Sequence, residues 1–139
     1  VAEYLKPLPD IDADNAEFWK GATEHRFLLY QCQACKTYYY PNIECTNCKD
    51  LRPPMKWVES SGKGKLFTWT VMHRKYHDGF TDDVPYNVAL VELQEGPHYL
   101  TNIVDCENDK LERGMELDVT FEKVTDEVTL PKFKPRVAS

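Results

Sequence analysis

A chain of 139 residues with 42% hydrophobic and 12% aromatic side chains can form one packed domain, or a small module joined to a modest one. No apolar run approaches the roughly 20 residues that a membrane-spanning helix requires. The formal net charge of −6 excludes the broad positive potential of a protein that wraps long nucleic acid.

Residues 1–13 contain Pro7 and Pro9 and read as an extended arm. Asp14-Asn-Ala-Glu17 is a capping-box pattern, an acceptor side chain followed three residues later by Glu, so a short helix is predicted from about Asn15 to Glu24. Phe18 and Ala22 share one face of it, with Trp19 beside them. That aromatic pair either docks the helix on the body of the protein, the usual fate of an apolar helix face, or meets a partner or an acyl chain.

Phe27-Leu-Leu-Tyr30 and Thr37-Tyr-Tyr-Tyr40 are short strands on either side of Cys32-Gln-Ala-Cys35, and Cys45-Thr-Asn-Cys48 follows nine residues after Cys35. Two C-x-x-C knuckles at this spacing, with Pro41 and Asn42 turning the chain between them, present four sulfurs to one tetrahedral ion. Zinc is the expected occupant and iron the less favoured one, since a four-thiolate tetrahedron accepts either. Four thiolates leave no open position, so the ion holds structure and activates no water. Paired disulfides would need an oxidising compartment, and no signal-peptide pattern precedes the cysteines; thiolate-rich and acidic, the chain reads as cytoplasmic. Cys106 has no sequence partner and reads as a buried, inert thiol rather than a nucleophile. A ribbon of this size buries little apolar surface, so the metal must contribute much of its folding energy.

Arg52-Pro-Pro-Met55 is a stiff linker, and the domain boundary is placed there: arm and helix over 1–26, zinc ribbon over 27–52, and a second body over 57–139. Beyond Trp57 the pattern changes to period two. Lys65 to Tyr76 is a long strand with Phe67, Trp69 and Val71 on one face, opened by Gly62-Lys-Gly64. Tyr86 to Leu93, His98 to Val104 and Glu116 to Val124 follow, and Glu127 to Leu130 begins a fifth strand before Pro131. Five strands with a long, glycine-kinked first one predict an OB-fold barrel, and a mainly β protein as a whole.

Charge is segmented along this plan. Residues 49–77 carry a net +5, residues 78–130 a net −11 and residues 131–139 a net +3. Lys63, Lys65, Arg74 and Lys75 open and close the long strand, and Lys132 and Lys134 flank Phe133 in the tail. If the tail folds back beside that strand, the two form one basic edge suited to a phosphorylated ligand or an acidic partner; otherwise these are solvated lysines. No catalytic constellation is readable: there is no G-x-S-x-G elbow, Gly62-Lys-Gly64 lacks the rest of a phosphate loop, His73 and His77 sit at a strand end, and Asp82 and Asp83 fall in a loop.

Several of these features together resemble the OB-fold acyl-CoA-associated family, in which a rubredoxin-like zinc ribbon precedes a C-terminal OB barrel. The resemblance is carried by Phe18-Trp19, by Cys32, Cys35, Cys45 and Cys48, by Ser61-Gly-Lys-Gly64, by Pro85-Tyr86 and by Leu130-Pro-Lys-Phe-Lys-Pro135. It implies an accessory subunit of a thiolase-superfamily enzyme (thiolase, aldolase or acyltransferase) in a hetero-oligomer whose partner holds the catalytic groups. It also implies a CoA thioester at or near the interface, with Phe18, Trp19, Lys63, Lys65, Arg74, Lys75, Tyr86, Lys132, Phe133 and Lys134 as candidate ligand or partner contacts. The alternative that the architecture permits is a zinc-ribbon/OB nucleic-acid-binding module, which would need a continuous basic groove with stacking aromatics.

Overall fold

The computed structural model describes residues 9–40, 45–48, 53–73 and 85–136. Residues 1–8 of the expected arm, the Pro41-Asn42 turn, Arg52, Arg74, Lys75, His77, Asp82 and Asp83 lie outside the described residues.

A helix, α1 (Ala16–Thr23), comes first. The Asp14–Glu17 capping box does not form: Asn15 is the N-cap and makes no side-chain bond to the helix, and the reciprocal bonds lie in the turn before it. The Asp12 carboxylate accepts the N–H groups of Asp14 (2.9 Å) and Asn15 (3.0 Å), while Asn15 Oδ1 accepts the N–H of Asp12 at 2.8 Å. These bonds close the turn that leads into the helix and leave the helix's own first N–H groups without a side-chain cap. The helix ends in a paired reversal: His25 N–H bonds Ala22 O (2.9 Å), Arg26 N–H bonds Gly21 O (2.7 Å), and His25 itself is left-handed at φ 60. This turns the chain sharply into the next strand, against which the helix packs with Phe18 and Ala22 buried.

Strands β1 (Leu28–Cys32), β2 (Tyr38–Tyr39) and β3 (Met55–Glu59) make an antiparallel sheet in the order β2-β1-β3. After the two prolines the chain therefore returns to the cysteine-bearing sheet, with Trp57 opposite Tyr30 and Met55 opposite Cys32. Ser60, Ser61 and Gly62 then lead into the second sheet. The Glu95 carboxylate fixes this crossing, accepting from Ser60 Oγ (2.9 Å) and from Ser61 N–H (2.8 Å). Gly62 has a φ of 75, and a Cβ on Gly64 would stand 2.6 Å from Val91 Cγ1 and 2.9 Å from Glu92 O, so both glycines of Gly62-Lys-Gly64 are required by the backbone path.

The second sheet holds β4 (Lys63–Met72), β5 (Tyr86–Leu93), β6 (His98–Thr101), β7 (Glu116–Lys123) and β8 (Thr129–Pro135), in the order β6-β5-β4-β7-β8. A parallel bridge between Ile103 and Phe133 brings its two edges together, with Val104 N–H on Phe133 O (2.8 Å) and Phe133 N–H on Asn102 O (3.2 Å). The five strands thus curl into the predicted OB-fold.

Several strand expectations change: β4 ends at Met72 and β6 at Thr101. A β-bulge in β4 between Leu66 and Thr68 interrupts its pairing with β5, so Phe67 does not share a face with Trp69 and Val71. Leu66 takes the inward place (1% exposed) and Phe67 stacks on His98 with centroids 4.7 Å apart, with the Arg113 guanidinium 5.4 Å from the Phe67 ring. The last strand does not stop at Pro131 but runs through it to Pro135. As an edge strand it tolerates missing N–H groups, and Pro131 O accepts from Thr101 Oγ1 at 3.2 Å.

One aromatic core joins all three parts. Phe27, which leads into β1, meets Tyr99 (5.0 Å) and Phe133 (5.9 Å) of the barrel and Phe18 of the helix (5.9 Å), all between ring centroids. Tyr40, just beyond β2, lies 4.7 Å from Tyr99 and 5.3 Å from Phe18. The apolar core is continuous across the Pro53-Pro54 linker.

Candidate metal centre

The first knuckle is the turn that ends β1. Lys36 N–H bonds Cys32 O (2.9 Å) and Cys32 N–H bonds Thr37 O (3.0 Å), a loop closed by a left-handed Lys36 at φ 65. Cys32 is fully buried and Cys35 exposed, so the pair reaches from the core edge to the surface. In the second knuckle Cys48 N–H points at Cys45 Sγ (3.2 Å). The four sulfurs of Cys32, Cys35, Cys45 and Cys48 all lie within 4.8 Å of one another, with Cys35 Sγ and Cys45 Sγ 3.5 Å apart. Sulfurs around a tetrahedral zinc stand about 3.8 Å apart, given bonds of about 2.3 Å, so the residues present fit such an ion. Among the described residues no other set of three metal-ligating side chains converges.

Two hydroxyl side chains that the spacing argument missed complete the centre. Thr37 Oγ1 lies 3.2 Å from Cys35 Sγ and Tyr39 Oη 3.3 Å from Cys45 Sγ. Alternation along the strand leaving the first knuckle places positions 37 and 39 on one face, and that period-two signal could have found them. Thr37, through its hydroxyl and then its backbone, holds the Cys35 thiol down to about 6, favouring the thiolate that binds metal.

The other expected contacts scatter. Phe18 and Phe133 are buried in the core, 3% and 0% exposed, and Trp19 packs against it; the docking alternative is the one that the helix adopts. Tyr86 is half-buried at the start of β5, opposite Met72. The tail strand β8 pairs with β7, so β7 and its acids stand between the tail and β4. Asp118 faces both Lys63 and Lys134, Glu116 faces Lys65, and Lys132 Nζ contacts Glu122 at 2.6 Å. Arg136, not singled out by sequence, binds Asp118 (3.0 Å) and Glu116 (3.3 Å). Lys63, Lys65 and Arg136 line a cleft of about 420 Å³ together with Glu92, Gln94 and Glu116. Cys106 is half-buried against the core.

Two domain descriptions match along this sequence: the rubredoxin-like zinc ribbon domain of ChsH2 over residues 19–52, and the C-terminal OB-fold domain of ChsH2 over residues 57–122. A DUF35 domain-containing scaffold protein of Pyrococcus furiosus is 41% identical over 80% of each chain. The chain belongs to the DUF35 family. Its structure is similar to a solved DUF35 chain described as Ltp2-ChsH2(DUF35) aldolase, with a TM-score of 0.82 and 36% identity over 94% of this chain and 100% of that one. A probable enoyl-CoA hydratase alpha subunit of Thermomonospora curvata is 38% identical over 96% of this chain, which spans only 41% of that longer relative. Among the described residues no helix is long and apolar enough to cross a membrane.

Proposed function

We propose that this DUF35 chain is a zinc-holding, non-catalytic accessory subunit of a thiolase-superfamily enzyme acting on CoA thioesters. The observation that carries the reading is its end-to-end likeness to a chain of an aldolase described by both of its components, Ltp2 and ChsH2. The scaffold description of the Pyrococcus furiosus relative supports the same role. So does the centre itself, because four thiolates around zinc leave no position at which water or substrate could be activated. Cys32, Cys35, Cys45 and Cys48 would hold the ion, which when bound ties the two knuckles together. The ribbon over 27–52 and the barrel over 57–139 would then present one rigid surface to the catalytic partner. Lys63 and Lys65, exposed at the cleft beside β7, are the described cations best placed to meet a CoA phosphate or an acidic partner surface. The single-strand-binding alternative needs an unbroken basic groove, whereas Glu116, Asp118 and Glu122 alternate with the cations of β4 and β8.

The purified chain alone is expected to turn over no acyl-CoA, and activity is expected only with a thiolase-like partner. Carbon–carbon or thioester cleavage by the chain alone, lost on a point substitution within it, would refute the reading. A thiolase-like protein that co-purifies with it and loses activity or solubility in its absence would support it.

A further inference from the structure

The hydroxyls beside the cysteines have protons whose direction can be assigned. Tyr39 Oη accepts the backbone N–H of Thr46 at 3.1 Å and lies 3.3 Å from Cys45 Sγ. A backbone N–H can only donate and a phenol has a single proton, so the Tyr39 proton is directed at sulfur. Thr37 has the same neighbours, with Asn47 Nδ2 donating to its oxygen at 3.3 Å and Cys35 Sγ 3.2 Å away; toward a metal-binding thiolate, which can only accept, the Thr37 hydroxyl is the donor. Thr46 and Asn47 are the two middle residues of the second C-x-x-C, whereas Thr37 and Tyr39 belong to the chain leaving the first. Each relay therefore starts on the second knuckle, passes through a hydroxyl of the first segment and ends on a sulfur, one sulfur in each knuckle.

We propose that Tyr39 and Thr37 are positioning residues of the metal centre, which donate to the Cys45 and Cys35 thiolates and set how tightly, and with what electronic character, the centre holds its ion. Four thiolates around a divalent cation leave a net double negative charge, which the exposed side of the site meets with water and the inner side must meet with donors. An O–H directed at sulfur draws charge off it, disfavours its protonation, and locks its lone pair toward the metal. The same two hydroxyls clasp the knuckles in register before any ion arrives, so less ordering remains to be done on binding.

The proposal rests on the metal-holding reading above, and its test separates the two. Zinc affinity would be measured by chelator competition, and the sulfur-to-cobalt charge-transfer band recorded on the cobalt-loaded full chain. The variants are Tyr39→Phe, Thr37→Val and Thr37→Ser. Tyr39→Phe and Thr37→Val are each expected to weaken zinc by roughly tenfold, the low end of the outer-shell range. Both are also expected to move the cobalt band to longer wavelength, because a thiolate that has lost a hydrogen bond gives up its electron more readily. Thr37→Ser, which keeps the hydroxyl, should restore both readouts. A band that stays at the wild-type wavelength in both Tyr39→Phe and Thr37→Val would overturn the proposal even if affinity fell, since packing loss alone would explain the fall. A wild-type chain that takes up neither zinc nor cobalt would overturn the metal-holding reading, and this inference with it.

Discussion

Tyr40 and Tyr99 show at the scale of single residues how the ribbon and barrel are tied. Burial pushes the Tyr99 hydroxyl well above the ordinary tyrosine value, with the neighbouring Tyr40 adding to the effect, and burial raises Tyr40 as well. The folded state thus disfavours tyrosinate at both positions. A group raised in the folded state adds stability that is complete below its unfolded value, near pH 10, and is lost as pH climbs toward the folded one. Absorbance titration at 295 nm should therefore show Tyr99 withheld well above pH 10, ionising only with loss of the near-ultraviolet dichroism, and Tyr40 delayed. Eight tyrosines titrating smoothly on a folded chain would contradict the packing. Tyr99→Phe should remove the withheld group and flatten the alkaline limb of stability.

At the scale of elements, the metal knuckles stand on β1, and β1 stands on the barrel. Cys32 at the end of β1 is fully buried, and Phe27 just before its start touches Tyr99 and Phe133. Pro53-Pro54 suggests from sequence that the ribbon could unfold with the barrel less affected, but β3, on the far side of those prolines, pairs with β1 along five residue pairs. Stripping the ion, or Cys35→Ser, is therefore expected to lower the thermal midpoint of ribbon and barrel together, in one transition by fluorescence and by far-ultraviolet dichroism. Two separated transitions, with the later one unmoved by chelator, would show that the core contacts do not couple them. What could be read beforehand was what local rules control: four cysteines at fixed spacing that converge, a short helix within a residue or two, and a strand at Glu116–Lys123. What could not be read depends on partners distant in sequence. The bulge that turns Phe67 outward exists because Leu66 packs inside opposite Val91 while Trp69 must still meet Ala89. The run through Pro131 is stable because that strand is an edge whose far side is met by Thr101 and Ile103. The capping box at Asp14 failed because Asp12 and Asn15 pair with each other in the turn before the helix.

At the scale of the whole molecule, the question is which cations are free to meet a partner or a phosphate. Lys132 is not: its side chain is only 15% exposed and its ammonium bonds Glu122 across the β7–β8 pair. Lys132→Glu would set two carboxylates against each other in a half-buried pair, so it should destabilise the barrel by about 1–3 kcal/mol and report on folding rather than on binding. Lys63 and Lys65 are exposed on β4 at the cleft rim, and substituting them leaves the core untouched. Lys63→Gln/Lys65→Gln is therefore the informative pair, since Glu at these positions would face Asp118 and Glu116 across the β4–β7 pair. If these lysines meet CoA phosphates, the variant should still assemble with the catalytic partner, while acyl-CoA affinity falls roughly tenfold or more and the loss shrinks at high salt. If they meet an acidic partner surface, assembly itself should weaken, through a slower association rate, whether or not CoA is present. Assembly and CoA affinity both at wild-type values, with the thermal midpoint unchanged, would reduce the two lysines to solvated surface.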